Sequence, residues 1–560
     1  MRVVTASEIQ QIDRISTEQH GIPGAMLMET AGILAARVIL ERFHPAGKKV
    51  TIICGTGNNG GDGFVIARHL RRQGIFCNTV LMGKKEKLQG DALLNYQLLT
   101  RNGPAVWECS ENAQISQLAT LLHDSGLIVD AIFGTGLNSS VKGLAKVVIE
   151  MINSSDKPVV AVDIPSGIDG STGRICGDAV KAAVTVTMGL PKTGLLLYPG
   201  ALYTGEIFVA DIGFPEQLME PVEKGISLLT AGKAAALIPD RPENAHKGTS
   251  GRALLIAGSK GYTGAAALAC ESCLRSGAGL VTLAVPESLN QIMEVKLTET
   301  ITLPYPDLKK LSVVRDVAEM LMKAAAGSKV IAAGPGIGRA MTVRGLVALL
   351  THSLKLPAVL DADALFPEIA ASHSLARPVL TPHPGEMARL LGTTTEDVVN
   401  NPIELCRECA RQYRAIAVLK GAHSLIATPE GEVHINPTGN AGMATAGMGD
   451  VLTGIITGLI AQGASSRDAA LLGVYLHGLA GDMASSEIGG RGLVASDLIS
   501  RIPPAIERLL QGHFDGMPEK RRIREVTLFN CIEGHQGCLA GSPGQKRESL
   551  TDHHKEGYLR

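Results

Sequence analysis

The sequence predicts two consecutive α/β domains, each built on a parallel sheet with helices on both faces. Short, continuous apolar segments alternate with helical patterns, which is typical of parallel strands buried on both sides. The alternation stops near residues 214–229 and starts again at residue 253, and 560 residues exceed what one hydrophobic core holds. We therefore predict a first domain at residues 1–217, a second at 225–511, and a disordered tail at 512–560.

The first domain opens with a helix in which Ile9, Ile12 and Ile15 recur at helical spacing, and Ser7 is the expected N-cap. Strands and helices then alternate. The predicted strands are residues 50–54, 76–82, 127–133, 159–164 and 184–188, and the predicted helices include 64–73, 92–101 and 141–152. We interpret 214–229 as the connection between the domains. The predicted strands of the second domain are 253–258, 280–284, 330–333, 358–361 and 415–419.

Charge and composition exclude several classes of partner. The net charge of −1 creates no field that would recruit nucleic acid or acidic membranes, and 3% aromatic residues argue against a platform for stacking bases. The N-terminus lacks a signal-peptide pattern, and the apolar segment 451–464 is shorter than the roughly 20 residues that span a bilayer. We expect a cytoplasmic homo-oligomer that binds small molecules.

Ten cysteines are too sparse for a disulfide scaffold. Two pairs have the C-x-x-C spacing, Cys270 with Cys273 and Cys406 with Cys409, but both lie in predicted helices, whereas zinc ligands occupy tight turns. We interpret them as packed thiols. Cys531 and Cys538 near His535 match no common metal-ligand spacing.

In the first domain, polar residues follow three strands. The strand at 50–54 runs into GTGNNGGDG at 55–63 and then a helix, an arrangement typical of a nucleotide- or phosphate-binding crevice. Asp130 and Asp163 each end an apolar strand, where a carboxylate is costly to bury without a partner. Both are candidate site residues, with loop anchors as the alternative.

Residues 28–32, 57–63, 130–137 and 162–169 resemble the NAD(P)H-hydrate epimerase domain, a Rossmann-like fold. That family interconverts the two epimers of hydrated NADH and NADPH. The resemblance implies that Asp163 is the acid/base and that a potassium ion is held by Asn59, Asp130 and Ser166, whose oxygens are hard ligands. It implies that the dinucleotide is bound by Asn58, Asn59, Gly60, Gly61, Asp62, Gly134, Thr135, Gly136, Leu137, Asn138, Ser139, Ser140 and Asp163. The family usually has Asn at the position of Thr30, and a more basic loop at 138–140.

The most informative segment of the second domain is NAGMATAGMGD at 440–450, which runs into a predicted helix. Its glycines let backbone N–H groups converge, and the helix start adds partial positive charge, so the segment is suited to hold an anion. Asp450 is placed to take a proton from a hydroxyl that attacks a phosphoryl group. The alternative is that Asp450 only caps the helix. Ligands gather where strands end, and five more clusters follow strands, at 259–266, 334–338, 360–364, 381–386 and 420–424.

These clusters together resemble the ADP- or ATP-dependent NAD(P)H-hydrate dehydratase, a ribokinase-like α/β domain. The resemblance implies phosphoryl transfer to the hydroxyl of the hydrated ring, with Asp450 as base and magnesium on the nucleotide phosphates. It implies that the hydrated dinucleotide contacts Ala265, Gly336, His383 and Asp450. It implies that the nucleotide contacts Lys420, Gly421, Ala422, His423, Ser424 and Gly449.

The sequence is therefore interpreted as a bifunctional enzyme that epimerises hydrated NAD(P)H and dehydrates the S form. The expected phosphoryl donor is ADP, with release of AMP and phosphate, and ATP is the alternative donor. One rival is a ribokinase-type small-molecule kinase, which would share Asp450 and the anion site. A second rival makes the first domain a non-catalytic binding module for a protein or lipid.

Overall fold

The computed structural model describes residues 1–101, 103, 105–371, 375–512 and 523–528. Across these residues the strands form one sheet of eight and one of eleven. Helices pack on both faces of each sheet, and most strand pairs are parallel, which confirms the predicted α/β class. No helix among the described residues is long and apolar enough to cross a membrane.

The first half of the chain contains most of the eight-stranded sheet. The strands in this half of the chain are β1 (Arg2–Val3), β2 (Lys49–Cys54), β3 (Phe76–Met82), β4 (Trp107–Cys109), β5 (Leu127–Ala131), β6 (Val159–Val162), β7 (Val184–Met188) and β8 (Glu206–Ala210). Its helices are α1 (Ala6–Glu18), α2 (Gly24–Phe43), α3 (Asn58–Arg72), α4 (Gly90–Arg101), α5 (Ile115–His123), α6 (Gly143–Ser154), α7 (Thr193–Leu196) and α8 (Glu216–Met219).

The second half contains most of the eleven-stranded sheet. The strands in this half of the chain are β9 (Ile226–Leu228), β10 (Arg252–Ile256), β11 (Leu280–Pro286), β12 (Ile301–Tyr305), β13 (Val330–Ala333), β14 (Ala358–Leu360), β15 (Val379–Leu380), β16 (Ile416–Leu419), β17 (Leu425–Ala427), β18 (Val433–Ile435) and β19 (Ile523–Val526). Its helices are α9 (Ala231–Ala235), α10 (Thr263–Arg275), α11 (Asn290–Lys296), α12 (Leu311–Ala325), α13 (Met341–Ser353), α14 (Pro384–Leu391), α15 (Thr395–Asn400), α16 (Pro402–Tyr413), α17 (Met448–Ala461), α18 (Ser466–Ile488), α19 (Ala495–Ile499) and α20 (Ile502–Leu510).

Strand order in the smaller sheet brings the predicted site segments together. The order is β19-β8-β7-β6-β5-β2-β3-β4, and every pairing is parallel, with Val50 opposite both Cys77 and Leu127. The order reverses direction at β2, and ligands bind where such a reversal opens a crevice. The segments after β2, β5 and β6 therefore meet at one edge.

The larger sheet has the order β1-β9-β18-β17-β16-β15-β14-β13-β10-β11-β12. From β16 to β12 all pairings are parallel, so the carboxyl ends of β16, β15, β14, β13 and β10 lie side by side. The predicted clusters after these five strands consequently share one edge of the sheet.

Glycines let α17 pack closely on α10. A Cβ atom at Gly454 would lie 2.0 Å from Ser272 Oγ, and one at Gly458 would lie 2.0 Å from Ser276 Oγ. The apolar face of α17, which includes the buried Val451 and Ile455, completes the contact with the sheet. This packing fixes the start of α17, where Asp450 lies.

Three local expectations are corrected. Helix α1 begins at Ala6, and its N-cap is Thr5 rather than Ser7, because Thr5 and Glu8 form a reciprocal capping box. The connection at 214–229 contains α8 and β9, whose three residues are too few to show a pattern. The predicted tail contains β19, where Ile523 and Val526 are buried against the first domain.

Two strands lie outside their predicted domains. Strand β1 pairs antiparallel with β9 of the larger sheet, and β19 pairs parallel with β8 of the smaller one. Arg524 forms an ion pair of 2.9 Å with Glu206, and Arg37 donates a hydrogen bond to the Thr527 carbonyl. The two units are thus linked by strand exchange as well as by the chain between them.

The cysteine prediction holds for the described residues. Cys270 and Cys273 are buried on α10, and Cys406 and Cys409 are buried on α16, all as free thiols. Cys531, Cys538 and His535 lie outside the described residues.

Candidate active sites

A cavity of about 720 Å³ opens over the carboxyl edge of the smaller sheet. Helices α1 and α2 form one wall, and the segments after β2, β5, β6 and β7 form the floor. Of the predicted dinucleotide-binding residues, those that line it are Asn58, Asn59, Asp62, Gly134, Thr135, Gly136, Leu137, Asn138, Ser139 and Asp163. The structure thus brings together ten residues from three separate segments.

Gly60, Gly61 and Ser140 do not line this cavity. A Cβ atom at Gly60 would lie 1.9 Å from the Gly55 carbonyl oxygen, and one at Gly61 would lie 2.6 Å from Met28 Sδ. Both glycines therefore allow α3 to pack closely. Ser140 lies beyond the rim, with Oγ 3.0 Å from a Cβ atom at Gly177.

Asp163 forms a buried ion pair with a residue that the sequence analysis did not select. Lys192 Nζ donates a 2.5 Å hydrogen bond to Asp163 Oδ1, and it also donates to Thr187 Oγ1 and the Met188 carbonyl. The Lys192 side chain is 1% exposed and that of Asp163 is 13% exposed. Asp163 itself has a left-handed backbone with φ of 67°. The Asp163 side chain is therefore held in place by Lys192 through Oδ1, while Asp163 also lines the cavity.

Beside Asp163, a second carboxyl group, that of Asp62, has a pKa that its surroundings raise. Burial raises the pKa of Asp62 well above its usual value, and repulsion from Asp163 and Asp13 adds to the effect. A neutral carboxyl group donates a hydrogen bond, which a carboxylate cannot do. The cavity therefore offers two different acids, Asp163 paired with Lys192 and Asp62 with a raised pKa.

Of the residues proposed for potassium, Asn59 lines the cavity, and Asp130 and Ser166 contact each other outside its lining. Ser166 donates through both Oγ and its backbone N–H to the fully buried Asp130 carboxylate, at 2.6 and 2.8 Å. Burial raises the pKa of Asp130 to about 6. Among the described residues, neither polar atom of the buried Asn59 amide has a hydrogen-bond partner, and a Cβ atom at Gly134 would lie 3.3 Å from this amide. Unpartnered buried amide atoms and a costly buried carboxylate fit a monovalent cation.

At the second site, Asp450 lies in the first turn of α17. Gly447 precedes the helix with φ of 91°, a conformation that favours glycine. Burial raises the pKa of Asp450 to about 7, the Asp361 carboxylate adds to the rise, and Lys420 opposes it. A carboxyl group with this pKa exchanges protons readily near neutral pH.

Lys420 and Asp361 form the centre of this site. Lys420 Nζ donates a 2.6 Å hydrogen bond to Asp361 Oδ1 and lies 3.7 Å from Glu386 Oε2, while Thr453 Oγ1 donates to Asp361 Oδ2 at 2.9 Å. A Cβ atom at Gly449 would lie 3.3 Å from Lys420 Nζ. Any larger residue at 449 would therefore push against the ammonium group.

His383, which is predicted to contact the hydrated dinucleotide, is the N-cap of α14. Its Nδ1 accepts from the backbone N–H groups of Gly385 and Glu386, and the Glu386 carboxylate accepts from the His383 N–H. This fixes the ring, of which 55% is exposed. Ala265 and Gly336 also meet, because a Cβ atom at Gly336 would lie 3.2 Å from Ala265 Cβ.

The other residues that are predicted to contact the nucleotide lie in the loop between β16 and β17. Gly421 and Ala422 are exposed, and Gly421 N–H donates to Ser424 Oγ at 3.4 Å. His423 points the other way, toward the first half of the chain, where its Nδ1 lies 2.5 Å from the Leu196 carbonyl oxygen.

The sequence analysis missed Lys192, Asp361, Thr453 and Glu386 as site residues. Asp361, Thr453 and Glu386 lie in or next to segments that it selected. Asp361 directly follows β14, and Asp130 is likewise close to the end of β5. The same argument about carboxylates at strand ends would have found Asp361. Lys192 follows β7 within an apolar, small-residue segment, where a single lysine is a detectable signal.

Comparison with known proteins identifies relatives of both halves. Residues 253–504 match the family model described as NAD(P)H-hydrate dehydratase, and residues 24–194 match the model described as YjeF-related protein N-terminus. A Moorella thermoacetica protein named bifunctional NAD(P)H-hydrate repair enzyme Nnr is 43% identical over 515 residues, covering 91% of this chain and 97% of the relative. The Thermofilum pendens protein of that name is 38% identical over 528 residues, covering 94% and 99%. A solved Bacillus subtilis ADP/ATP-dependent NAD(P)H-hydrate dehydratase, co-crystallised with ATP and Mg²⁺, is 31% identical and covers 50% of this chain and 98% of its own, with a TM-score of 0.46.

Proposed function

The chain belongs to the family of bifunctional NAD(P)H-hydrate repair enzymes, and on that premise we propose how its two sites share the work. It epimerises hydrated NAD(P)H and dehydrates it back to NAD(P)H. The smaller sheet carries the epimerase site, and the larger sheet carries the dehydratase site. The kinase alternative is not favoured, because it gives no role to the first domain.

We propose that Asp163 is the acid/base of epimerisation. Exchange between the epimers requires a bond at the hydroxyl-bearing ring carbon to break and to form again on the other face. The ring nitrogen lone pair assists loss of the hydroxyl group once that oxygen is protonated. The Lys192 ion pair holds Asp163 at the cavity edge, where its carboxyl group would give a proton to the leaving hydroxyl and take one back from the water that adds to the other face. Asp62, whose pKa is raised, would donate a hydrogen bond to the substrate in its protonated form.

Asn59, Asp130 and Ser166 would hold the potassium ion, and the unpartnered Asn59 amide supports this assignment. The cation would offset the buried Asp130 charge and fix the loops after β5 and β6. In this proposal the potassium ion keeps the cavity floor in place, since Asp130 and Ser166 lie outside the cavity lining.

We propose that Asp450 is the base of the dehydratase. Hydroxide leaves the hydrated ring poorly, so the hydroxyl oxygen first attacks the terminal phosphorus of the nucleotide. Asp450 removes the hydroxyl proton, and the P–O bond to the nucleotide breaks, which releases AMP from ADP. The ring nitrogen lone pair then expels phosphate, and loss of a proton from the neighbouring ring carbon to the departing phosphate or to water leaves the reduced nicotinamide. The observation that carries this proposal is Asp450, with its pKa near 7, at the start of α17 beside the Lys420–Asp361 pair.

Lys420 and the α17 N-terminus would stabilise charge that develops on the transferred phosphoryl group. Asp361 and Glu386 keep Lys420 in place: burial lowers its pKa, but these carboxylates outweigh that effect and raise it overall. Bound magnesium would neutralise further charge on the nucleotide phosphates. We infer ADP as the donor, with ATP as the alternative.

The direct test uses separated R and S epimers of hydrated NADH with ADP and magnesium. The S epimer should regain the absorbance of reduced nicotinamide at once, with one AMP formed for each NADH. The R epimer should do so at the rate of epimer exchange. ADP consumption without recovery of that absorbance would favour a kinase instead.

A further inference from the structure

The loop at 420–424 of the second domain, which we propose contacts the nucleotide, meets the first domain at His423. His423 Nδ1 lies 2.5 Å from the Leu196 carbonyl oxygen, and the rings of His423 and Tyr198 meet edge-to-face, with centroids 5.3 Å apart and planes at 70°. Leu196 and Tyr198 follow directly after Lys192, which belongs to the epimerase site. The contact therefore joins two segments that are each close to a different active site.

On the first-domain side, the segment that carries Leu196 and Tyr198 is tightly held. Thr193 donates a side-chain hydrogen bond to the Ser171 carbonyl at 2.6 Å, and the Gly194 N–H donates to the Gly170 carbonyl at 2.8 Å. A Cβ atom at Gly194 would lie 2.1 Å from a neighbouring carbonyl oxygen, which leaves no room for a shift. Leu195, Leu196 and Leu197 are all buried. This segment is a rigid support.

On the second-domain side, the loop at 420–424 has exposed residues at its tip. Gly421 and Ala422 are exposed. At one end of the loop Lys420 donates a hydrogen bond to Asp361, and at the other end the Ser424 carbonyl accepts a hydrogen bond from the Asn436 N–H. The His423 side chain is thus the part of the loop that reaches the rigid support. A loop that is ordered before its ligand arrives loses less conformational entropy on binding.

We propose that Tyr198, together with the Leu196 carbonyl, positions His423 and thereby pre-organises the dehydratase loop for an adenosine diphosphate or triphosphate. The epimerase domain in this way completes the nucleotide site of its neighbour. This inference rests on the proposed nucleotide role of residues 420–424. Tyr198 is a positioning residue: it acts on nucleotide affinity through His423 and takes no part in the phosphoryl transfer.

The test compares Tyr198→Ala with Tyr198→Phe in the full chain. Loss of the ring should raise the KM for ADP by about three- to tenfold, the factor that one edge-to-face aromatic pair contributes. The kcat with saturating ADP and S epimer, and the rate of epimer exchange, should stay within about twofold of wild type. Tyr198→Phe keeps the ring and should behave as wild type. If Tyr198→Ala fails to fold, Tyr198→Leu removes the ring and keeps the apolar bulk.

A double-mutant cycle with His423→Gln separates this inference from the assignment of the loop. If Tyr198 acts through His423, the effects of the two changes on ADP affinity will not add. Additive effects, an unchanged KM in Tyr198→Ala, or an equal loss of both activities would overturn the inference. A Lys420→Gln variant with wild-type affinity for ADP would instead withdraw the nucleotide assignment of residues 420–424.

Discussion

Replacement of Asp450 by asparagine tests the central proposal for the dehydratase. Asparagine keeps the shape of the side chain at the start of α17, so packing should not change, but it cannot accept the hydroxyl proton. A positioned general base contributes about 10²- to 10⁴-fold to a rate. We therefore expect kcat for the S epimer with ADP to fall by about that factor, with ADP affinity changed by less than about threefold.

The pKa of Asp450 gives the same prediction a second, independent form. With a pKa near 7, roughly one molecule in ten carries the ionised base at pH 6 and about nine in ten at pH 8. The rate of the chemical step should rise about tenfold between pH 6 and its plateau. Because Asp361 contributes to the high pKa through repulsion, Asp361→Asn should move the midpoint of this rise to lower pH, whatever it does to the plateau.

The assay is single-turnover recovery of reduced-nicotinamide absorbance with enzyme in excess, across pH 5 to 9. Epimer exchange in Asp450→Asn serves as the control for folding, because that reaction uses the other sheet. Near-wild-type turnover of Asp450→Asn would refute the assignment of the base. A midpoint near pH 4 that Asp361→Asn does not shift would refute the electrostatic reasoning.

Three more outcomes are expected. Asp163→Asn should slow epimer exchange by about 10²- to 10⁴-fold and leave S-epimer dehydration unchanged; asparagine is chosen because it tolerates the left-handed φ of 67°, where alanine would add strain. Equal exchange rates in the variant and wild type would remove Asp163 as the acid/base. Replacing potassium by choline should lower the melting temperature and the epimer-exchange rate of wild type, and Asn59→Ala should abolish that ion dependence; a potassium response that persists in the variant argues against the site. A chain ending at Gly512 should melt on the order of 5 to 10 °C lower in its first domain than one ending at Leu528, because Ile523 and Val526 lose their burial. Identical melting curves would mean that β19 adds no stability.

Most of the fold could be predicted, because buried parallel strands leave continuous apolar segments. The strands β3, β7 and β13 have the predicted bounds, and α17 begins and ends within three residues of the predicted apolar segment 451–464. The strands that were not predicted include β1, β9 and β19, which are two to four residues long, and the five-residue β8 and β12. Such short strands depend on partners far away in the sequence, so no local pattern marks them.

The candidate sites were predicted where the chemistry lies in glycine-rich segments after strands. Asp450 and Asp163 both lie at the expected edges, and their roles stay predictions, as do the potassium ion, the homo-oligomer and the cytoplasmic location. Lys192 and Asp361 were not selected, although a single lysine in an apolar segment and a carboxylate at a strand end are detectable signals, because each acts through a buried partner that the sequence does not show. A single lysine or aspartate in an apolar segment shows its function only when the fold reveals what it faces.

The order in which ribosomes make this chain gives strand exchange a consequence for biosynthesis. Strand β1 emerges first, but its partner β9 is made only after the whole of the smaller sheet except β19. Strand β8 then waits for β19 until the larger sheet has been synthesised. The smaller sheet therefore keeps an open edge at β8 during translation, and β1 stays unpaired until β9 is made; both are exposed to wrong pairing with other chains. Neither half can finish folding before the other exists.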